Sequence, residues 1–171
     1  ERDERFKKLS AHVPGLIYQF LGRRDGTYSF PFATESIRTM FGCSPDDVRD
    51  DMGPVTKVIY KDDLERLFQS FKDSWQKTGM WEVEFRVELP GQPVKWYFGH
   101  ATPEKLPNGD ILSHGYISDI TERKAAEERI KISEANLTDA QTQAHMGSWE
   151  FDALNQKIFW SDEMYRIINR D

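Results

Sequence analysis

The stretch GYISDITERKAAEE (residues 115–128) changes from strand-like to helix-like sequence with no turn between the two parts. Residues 111–120 follow a PNGD turn and are rich in apolar and β-branched side chains, which predicts a strand. From Glu122 onward the chain is highly charged and contains no Gly or Pro until Gly147, which predicts a long helix. A last strand that continues directly into a helix is the feature from which the remaining elements can be placed.

Four further strands are predicted upstream of this junction. Residues 15–34 alternate apolar and polar side chains around the turn RRDG, which is typical of a hairpin. The segment WEVEFRVEL (residues 81–89) has strict period-two alternation, and the turns PGQP and PNGD connect it to VKWYFGHAT and then to ILSHGYISDI. Turns this short predict an antiparallel meander.

Helices are predicted between the hairpin and the meander. TESIRTMFG and SPDDVRD each begin with a good N-cap residue, and Gly42 marks the end of the first. A longer helix is expected from about Asp62 to Lys77, where Leu64, Leu67 and Phe71 belong to one apolar stripe. We interpret that stripe as core packing against the sheet.

The last two strands of the meander carry apolar side chains on both faces. An antiparallel sheet with one face in water normally alternates cleanly between apolar and polar residues. We therefore predict that the face without helices contacts another helix or another subunit, through Trp96, Phe98, His100 and Tyr116. His100 could also act with His114 as a pH-sensitive pair, although packed or hydrogen-bonded histidines are the commoner case.

The helix after residue 121 has a weak heptad seam. Apolar or small residues recur at intervals of four and three, but only Ile130 and Leu137 are large. A dimeric coiled coil and a solvent-exposed linker helix are about equally compatible with this pattern. Beyond the helix, AHMGSWEFD (residues 144–152) repeats AHVPGLIYQF (residues 11–20), which predicts the start of a second copy of the first domain.

Composition limits the functions that this chain can have. The 171 residues carry a net charge of -6, which disfavours nucleic acid or an anionic membrane as partner. The sequence contains no phosphate-binding Gly-rich loop, no nucleophile elbow and no cluster with metal-ligand spacing, so we expect neither an enzyme nor a metal site within it. Cys43 is the single cysteine and is interpreted as structural; its isolation is compatible with a cytoplasmic protein.

Four motifs, in order, resemble the PAS sensory domain: FGCSPDDV (41–48), YKDDLERL (60–67), EFRV (84–87) and GYISDITERKAAEE (115–128). The subgroup is that of bacterial sensor proteins with tandem PAS repeats. The resemblance implies an α+β PAS fold: a five-stranded antiparallel sheet of order 2-1-5-4-3 with helices on one face, followed by a long C-terminal helix. The expected domains are a helical lead-in (1–12), the PAS domain (13–121), a signalling or coiled-coil linker helix (122–143) and the truncated start of a second PAS domain (144–171).

The resemblance also implies particular functional residues. Asp119, Thr121 and Arg123 are expected to relay a signal from the last strand to the helix; by spacing, Asp119 or Thr121 could cap the helix, and Asp119 could pair with Arg123. The ligand-pocket candidates, mapped onto the inward face of the family sheet, are Tyr18, Met40, Phe41, Phe68, Phe85, Val87, Tyr97, Ser113, Gly115 and Ile117. The polar groups among them, Tyr18, Tyr97 and Ser113, suit a small neutral ligand or a filled core.

The expected cofactor is unknown. Flavin photochemistry is disfavoured because Cys43 lies outside the motif that light-sensing members use, and haem is disfavoured because residues 62–77 contain no His. The predicted function is a sensory module that passes a small-molecule, redox or metabolic signal through the helix to a histidine kinase or, second, a diguanylate cyclase in the same chain. The expected assembly is a cytoplasmic homodimer, and the alternative function is a ligand-free dimerisation or protein-interaction module.

Overall fold

The computed structural model describes residues 14–77, 79–144 and 146–169. The expected lead-in helix (1–12) therefore lies outside the described residues. The chain divides into two compact units, Glu1–Glu122 and Arg123–Asp171, which are treated separately below.

The first unit contains a five-stranded antiparallel sheet. Its strands are β1 (Leu16–Gly22), β2 (Tyr28–Ala33), β3 (Trp81–Val87), β4 (Lys95–Lys105) and β5 (Ile111–Asp119). They are arranged in the order β2-β1-β5-β4-β3, so the predicted α+β fold and strand order are confirmed. The hairpin β1–β2 is joined to the meander β3–β4–β5 by pairing between the first and last strands, for example Tyr18 opposite Gly115.

Period-two alternation decides which side chains of these strands enter the core. Along β3, Trp81, Val83, Phe85 and Val87 are buried, while the residues between them are exposed or half-buried. Strand β1 follows the same rule, with Leu16, Tyr18 and Phe20 buried. One face of the sheet therefore supplies a continuous apolar surface, as the alternating sequence predicted.

Helices of the first unit lie between β2 and β3 in the chain. They are α1 (Ile37–Phe41), α2 (Gly53–Thr56) and α3 (Leu64–Lys77), with a 3-10 turn at Lys61–Asp63 before α3. The expected end of α1 at Gly42 is confirmed, because this residue has a φ of 71° and its amide donates to the Arg38 carbonyl.

Two local helix predictions were wrong. SPDDVRD forms turns instead of a helix: Ser44 and Asp47 exchange side-chain hydrogen bonds with each other's amides, which closes the turn locally. Helix α3 begins at Leu64, two residues later than expected, because Asp63 belongs to the preceding 3-10 turn and its carboxylate binds Arg86. In both cases side-chain hydrogen bonds that sequence spacing did not reveal end the helical geometry.

The apolar stripe of α3 packs on the core, as predicted. Leu67 and Phe71 are buried, and Leu64, Phe68 and Trp75 are partly buried against the same cluster. Phe71 lies between two other aromatic rings, stacking on Trp81 at 4.0 Å and on Phe20 at 4.8 Å between ring centroids. These contacts join α3 to strands at both ends of the sheet.

The second unit contains most of helix α4 (Thr121–Gln143), then β6 (Trp149–Asp152), β7 (Lys157–Trp160) and α5 (Asp162–Ile168). The two strands form a hairpin, and Ser161 caps α5 by accepting a hydrogen bond from the Met164 amide. The order strand, strand, helix is that of β1, β2 and α1. The assignment of residues 144–171 to a second PAS domain stays a prediction.

Within the described ranges, no helix combines the length and apolar character that crossing a membrane requires.

Candidate functional site

A small cavity lies in the core between the sheet and the helices of the first unit. Its volume is about 20 Å³. One water molecule needs about 10–15 Å³ by this measure, so the core is nearly filled. The lining residues are Tyr18, Phe20, Phe30, Phe41, Met52, Val55, Ile59, Leu67, Phe71, Trp81, Phe85 and Ile117.

Two glycines on the inner face of the sheet make room for aromatic rings of the core. A Cβ at Gly99 would lie 2.6 Å from the Trp81 ring, and a Cβ at Gly115 would lie 2.8 Å from Cζ of Tyr18. Contacts this short do not occur between real side chains. Glycine at these positions therefore lets each ring lie across the neighbouring strand, beside the cavity.

Polar side chains in this core differ in whether they have a partner. The Tyr97 hydroxyl donates to the Met40 carbonyl at 3.0 Å, and the Trp81 indole donates to the Ser70 hydroxyl at 2.8 Å. The Tyr18 hydroxyl is buried without any hydrogen-bond partner in the part of the chain that the structure describes. Buried polar groups are nearly always hydrogen-bonded, so Tyr18 is an exception that requires an explanation.

Both buried tyrosines remain neutral at ordinary pH. Burial raises the pKa of Tyr18 far above its usual value of 10. Burial, and secondarily the charge of Asp119, raises the pKa of Tyr97 to about 12. Each phenol therefore keeps its proton and can act as a hydrogen-bond donor.

The predicted pocket residues are placed differently from one another. Tyr18, Phe41, Phe85 and Ile117 line the cavity. The other six do not line it: Met40, Val87, Tyr97 and Ser113 are buried elsewhere in the same core, Phe68 is partly buried against it, and Gly115 is half-buried opposite Tyr18.

The expectation that three polar groups face the pocket needs correction. Tyr97 is bound to Met40, and Ser113 accepts a hydrogen bond from the Trp75 indole at 3.3 Å. Tyr18 alone among the three lines the cavity. Two lining residues that sequence reasoning missed, Met52 and Val55, lie in and beside α2, a four-residue helix with no sequence signal that we recognised. Leu67, Phe71 and Trp81 were assigned to the core by their periodicity but not to the cavity.

A second candidate feature is the junction between β5 and α4. The amide and hydroxyl of Thr121 both donate to one carboxylate oxygen of Asp119, at 2.9 and 2.6 Å. The Thr121 oxygen accepts the Trp96 amide at 3.0 Å, and the Ile120 amide donates to the Trp96 carbonyl at 2.8 Å. The first residue of α4 is thereby bound to the start of β4.

Both helix-start residues of the junction contribute, so sequence spacing could not have chosen between Asp119 and Thr121. The other oxygen of Asp119 lies 4.0 Å from Nζ of Lys95. Arg123, expected opposite Asp119, forms an ion pair with Glu127 one turn further along the helix, at 3.6 Å.

Sequence reasoning missed a buried ion pair close to this junction. Asp63 is almost fully buried, and its carboxylate accepts three hydrogen bonds from Arg86: from the backbone amide at 2.8 Å, from Nε at 3.0 Å and from Nη2 at 2.8 Å. The Arg86 guanidinium lies 4.1 Å from the centre of the Tyr60 ring and 5.4 Å from that of Trp96. Hydrogen bonds from Arg86 are the main reason why the pKa of Asp63 is lowered.

The outer face of the sheet carries the predicted aromatic group. The ring of His100 stacks on Tyr116 at 5.2 Å, and Phe98 lies 6.4 Å from Tyr116. Tyr116 is 44% exposed, while Trp96, Phe98 and His100 are half-buried. On α4, Ile130 and Leu137 are about 60% exposed. Their roles in a dimer stay predictions.

The remaining chemistry-bearing residues have structural contacts. Cys43 is buried, and burial raises the pKa of its thiol. His100 lies 3.1 Å from a Glu82 carboxylate oxygen and His114 lies 3.4 Å from one of Glu104, so the two histidines have separate acidic neighbours. No group of three or more His, Cys, Asp or Glu side chains suited to a metal ion occurs among the residues described.

The fold and the filled, aromatic core define a class of sensory and regulatory domains. A family model described as the PAS fold matches residues 30–115 of this chain. The chain belongs to the PAS family.

Solved structures with the same fold come from several signalling proteins. A sensory box histidine kinase/response regulator from Burkholderia thailandensis is 20% identical, with a TM-score of 0.58 over 78% of this chain and 97% of that chain. A PAS domain from Colwellia psychrerythraea is 18% identical, with a TM-score of 0.51 over 71% of this chain and 98% of that one.

The N-terminal domain of a diguanylate cyclase with a PAS/PAC sensor from Marinobacter aquaeolei is 11% identical, with a TM-score of 0.51 over 63% of this chain and 98% of that one. At such identities the similarity concerns the fold. No curated protein matches the chain.

Proposed function

We propose that this chain is a sensory module of a cytoplasmic bacterial signalling protein. It senses a small-molecule, redox or metabolic signal in the PAS core and passes the response through α4 to an effector. The effector is a histidine kinase or, second, a diguanylate cyclase, and it supplies any catalytic activity. Structural neighbours from both classes of protein are compatible with this proposal.

The observation that carries the proposal is the junction at Thr121. Its side-chain oxygen bridges the Asp119 carboxylate on β5 and the Trp96 amide on β4. Strands β4 and β5 also supply Gly99, Gly115 and Ile117, which contact the rings of the core or line the cavity. A change in the core that shifts either strand therefore alters the hydrogen bonds that hold the start of α4. A signal can act in this way only if it binds two states of the domain with different affinity.

The test joins residues 1–143 in frame to the dimerisation and catalytic core of a histidine kinase. Thr121→Val removes the hydroxyl with little change in shape, and Thr121→Ser retains it. We expect Thr121→Val to change the rate of autophosphorylation several-fold and Thr121→Ser to leave it near the unsubstituted rate. The matched control is Thr138→Val, because that hydroxyl donates to a carbonyl within α4 and takes no part in the junction. Equal rates in all four proteins would refute the relay.

A second candidate function is a ligand-free interaction module. It is favoured by the small volume of the cavity and by the aromatic group on the outer face, where Tyr116 is 44% exposed. In that case the purified chain would have the same mass under native and denaturing conditions apart from its oligomeric state. Tyr116→Glu would also lower the dimer fraction in sedimentation, because a charge would enter an apolar contact.

A further inference from the structure

Tyr18 and Tyr97 form a comparison within a single core. Both are almost completely buried, at 2% and 0% exposure, and both lie on the inner face of the sheet. The Tyr97 hydroxyl has a carbonyl partner, whereas the Tyr18 hydroxyl has none among the described residues. Tyr18 differs in one further respect, because it lines the cavity and Tyr97 does not. A buried donor without a partner, beside an unfilled space, is suited to receive a partner from outside the chain.

The lining restricts the chemistry of that partner. The twelve lining side chains carry no formal charge, so a charged molecule would lose its hydration without compensation. The Trp81 indole is already bound to Ser70, which leaves Tyr18 as the polar side chain able to bind a guest. A trapped water requires about two to four polar partners. One hydroxyl suits instead a molecule with an apolar body and one acceptor atom.

We infer that the cavity binds a small uncharged molecule with a single hydrogen-bond acceptor, and that the Tyr18 hydroxyl is the group that recognises this acceptor. The inference rests on the proposed function, since it specifies the ligand class of the sensory site. The volume of about 20 Å³ limits the guest to a few non-hydrogen atoms unless the lining moves. Short ketones, ethers and nitriles have this chemistry.

The test uses two probes of nearly the same shape, acetone and isobutene, which differ by the exchange of a carbonyl oxygen for a methylene group. Binding of each probe to the full chain is measured from methyl signals of lining residues, such as Leu67 and Ile117, in NMR titrations. The titrations are repeated with Tyr18→Phe and, as a matched control outside the cavity, with Tyr97→Phe.

We expect acetone to bind Tyr18→Phe about tenfold more weakly than the wild type, a change of about 1.4 kcal/mol. Isobutene should bind both proteins equally, because it offers no acceptor. Tyr97→Phe should leave the affinity for both probes unchanged. A second measurement needs no variant: the Tyr18 ¹³Cζ signal of the wild type should move with acetone but not with isobutene, while that of Tyr97 stays in place.

Equal acetone affinity in the wild type and Tyr18→Phe would overturn the inference. So would a Tyr18 ¹³Cζ signal that does not respond to acetone, or lining methyl signals that respond to neither probe up to its solubility limit. Binding is read here on the chain itself, without an effector. A failure of recognition at Tyr18 is therefore distinct from a failure of the relay at Thr121, which is read from kinase activity.

Discussion

Tyr18→Phe is expected to stabilise the first unit, whereas Tyr97→Phe is expected to destabilise it. The two substitutions remove the same atom from two tyrosines that are equally buried. They differ in the bond that is lost, because only Tyr97 donates to a carbonyl, that of Met40 at 3.0 Å. The sign of each change therefore tests whether the Tyr18 hydroxyl lacks a partner.

The magnitudes follow from the cost of an unmade hydrogen bond. A buried donor without a partner costs about 1–3 kcal/mol, so Tyr18→Phe should raise the free energy of unfolding by about 1 kcal/mol or more. Loss of the Tyr97 hydrogen bond should lower it by about 1 kcal/mol. With a denaturant slope of about 2 kcal/mol/M, the urea midpoints should move by about 0.5 M in opposite directions.

The assay is urea unfolding followed by amide signals of strands β1–β5. Signals of the sheet are preferable to tryptophan fluorescence, because Trp149 and Trp160 belong to the second unit and that unit can unfold separately. Denaturing mass spectrometry controls for a molecule that co-purifies with the wild type, since such a ligand would stabilise the native state by mass action.

One result would refute the reasoning. If Tyr18→Phe destabilised the sheet as much as Tyr97→Phe does, the Tyr18 hydroxyl would already have a partner in solution. The cavity would then hold a bound water or another molecule in the resting protein. Equal slopes of unfolding for both variants are needed for the comparison, because a changed slope would indicate a changed denatured state.

Three other perturbations test the packing around the site. Asp63→Asn should lower the free energy of unfolding by about 2–3 kcal/mol, since it leaves the half-buried Arg86 without its carboxylate, whereas Arg38→Gln in an exposed ion pair should cost less than about 0.5 kcal/mol. Because the pKa of Asp63 is lowered below 3.8, its stabilisation is present above about pH 4 and is lost as the pH falls through the folded pKa; an acid titration of Asp63→Asn should lack this part. Burial raises the pKa of Tyr97 to about 12, so stability that is complete below pH 10 should fall by about 1.4 kcal/mol per pH unit as the pH rises from about 10 towards 12, and less steeply in Tyr97→Phe. Gly115→Ala should lower the melting temperature by several degrees, because its Cβ would lie 2.3 Å from a backbone oxygen of β4; an unchanged value would show that the strand can shift freely.

Predictions from the sequence succeeded where the signal is local and repeated. The alternation of Trp81, Val83 and Phe85 places these residues on the buried face of β3, and the stripe of Leu67 and Phe71 lies on the buried face of α3. Periodicity of this kind depends only on backbone geometry, so it is visible in the sequence itself.

Predictions failed where a side chain found a partner far along the chain. The Asp63–Arg86 pair joins residues 23 positions apart, and it determined both the start of α3 and the use of a carboxylate that had been assigned to a helix start. The list of pocket residues failed for the same reason. Tyr97 and Ser113 have the correct face but are occupied by Met40 and Trp75.

The sequence by itself determined the order of the strands, the core faces, the end of α1 at Gly42 and the direct passage from β5 into α4. These features depend on side-chain period, on turn chemistry and on motif order, all of which are written along one segment of chain. Only the tertiary structure decided that Tyr97 is satisfied and Tyr18 is not. That difference depends on which carbonyl lies within about 3 Å of each hydroxyl, a distance fixed by the packing of several elements at once.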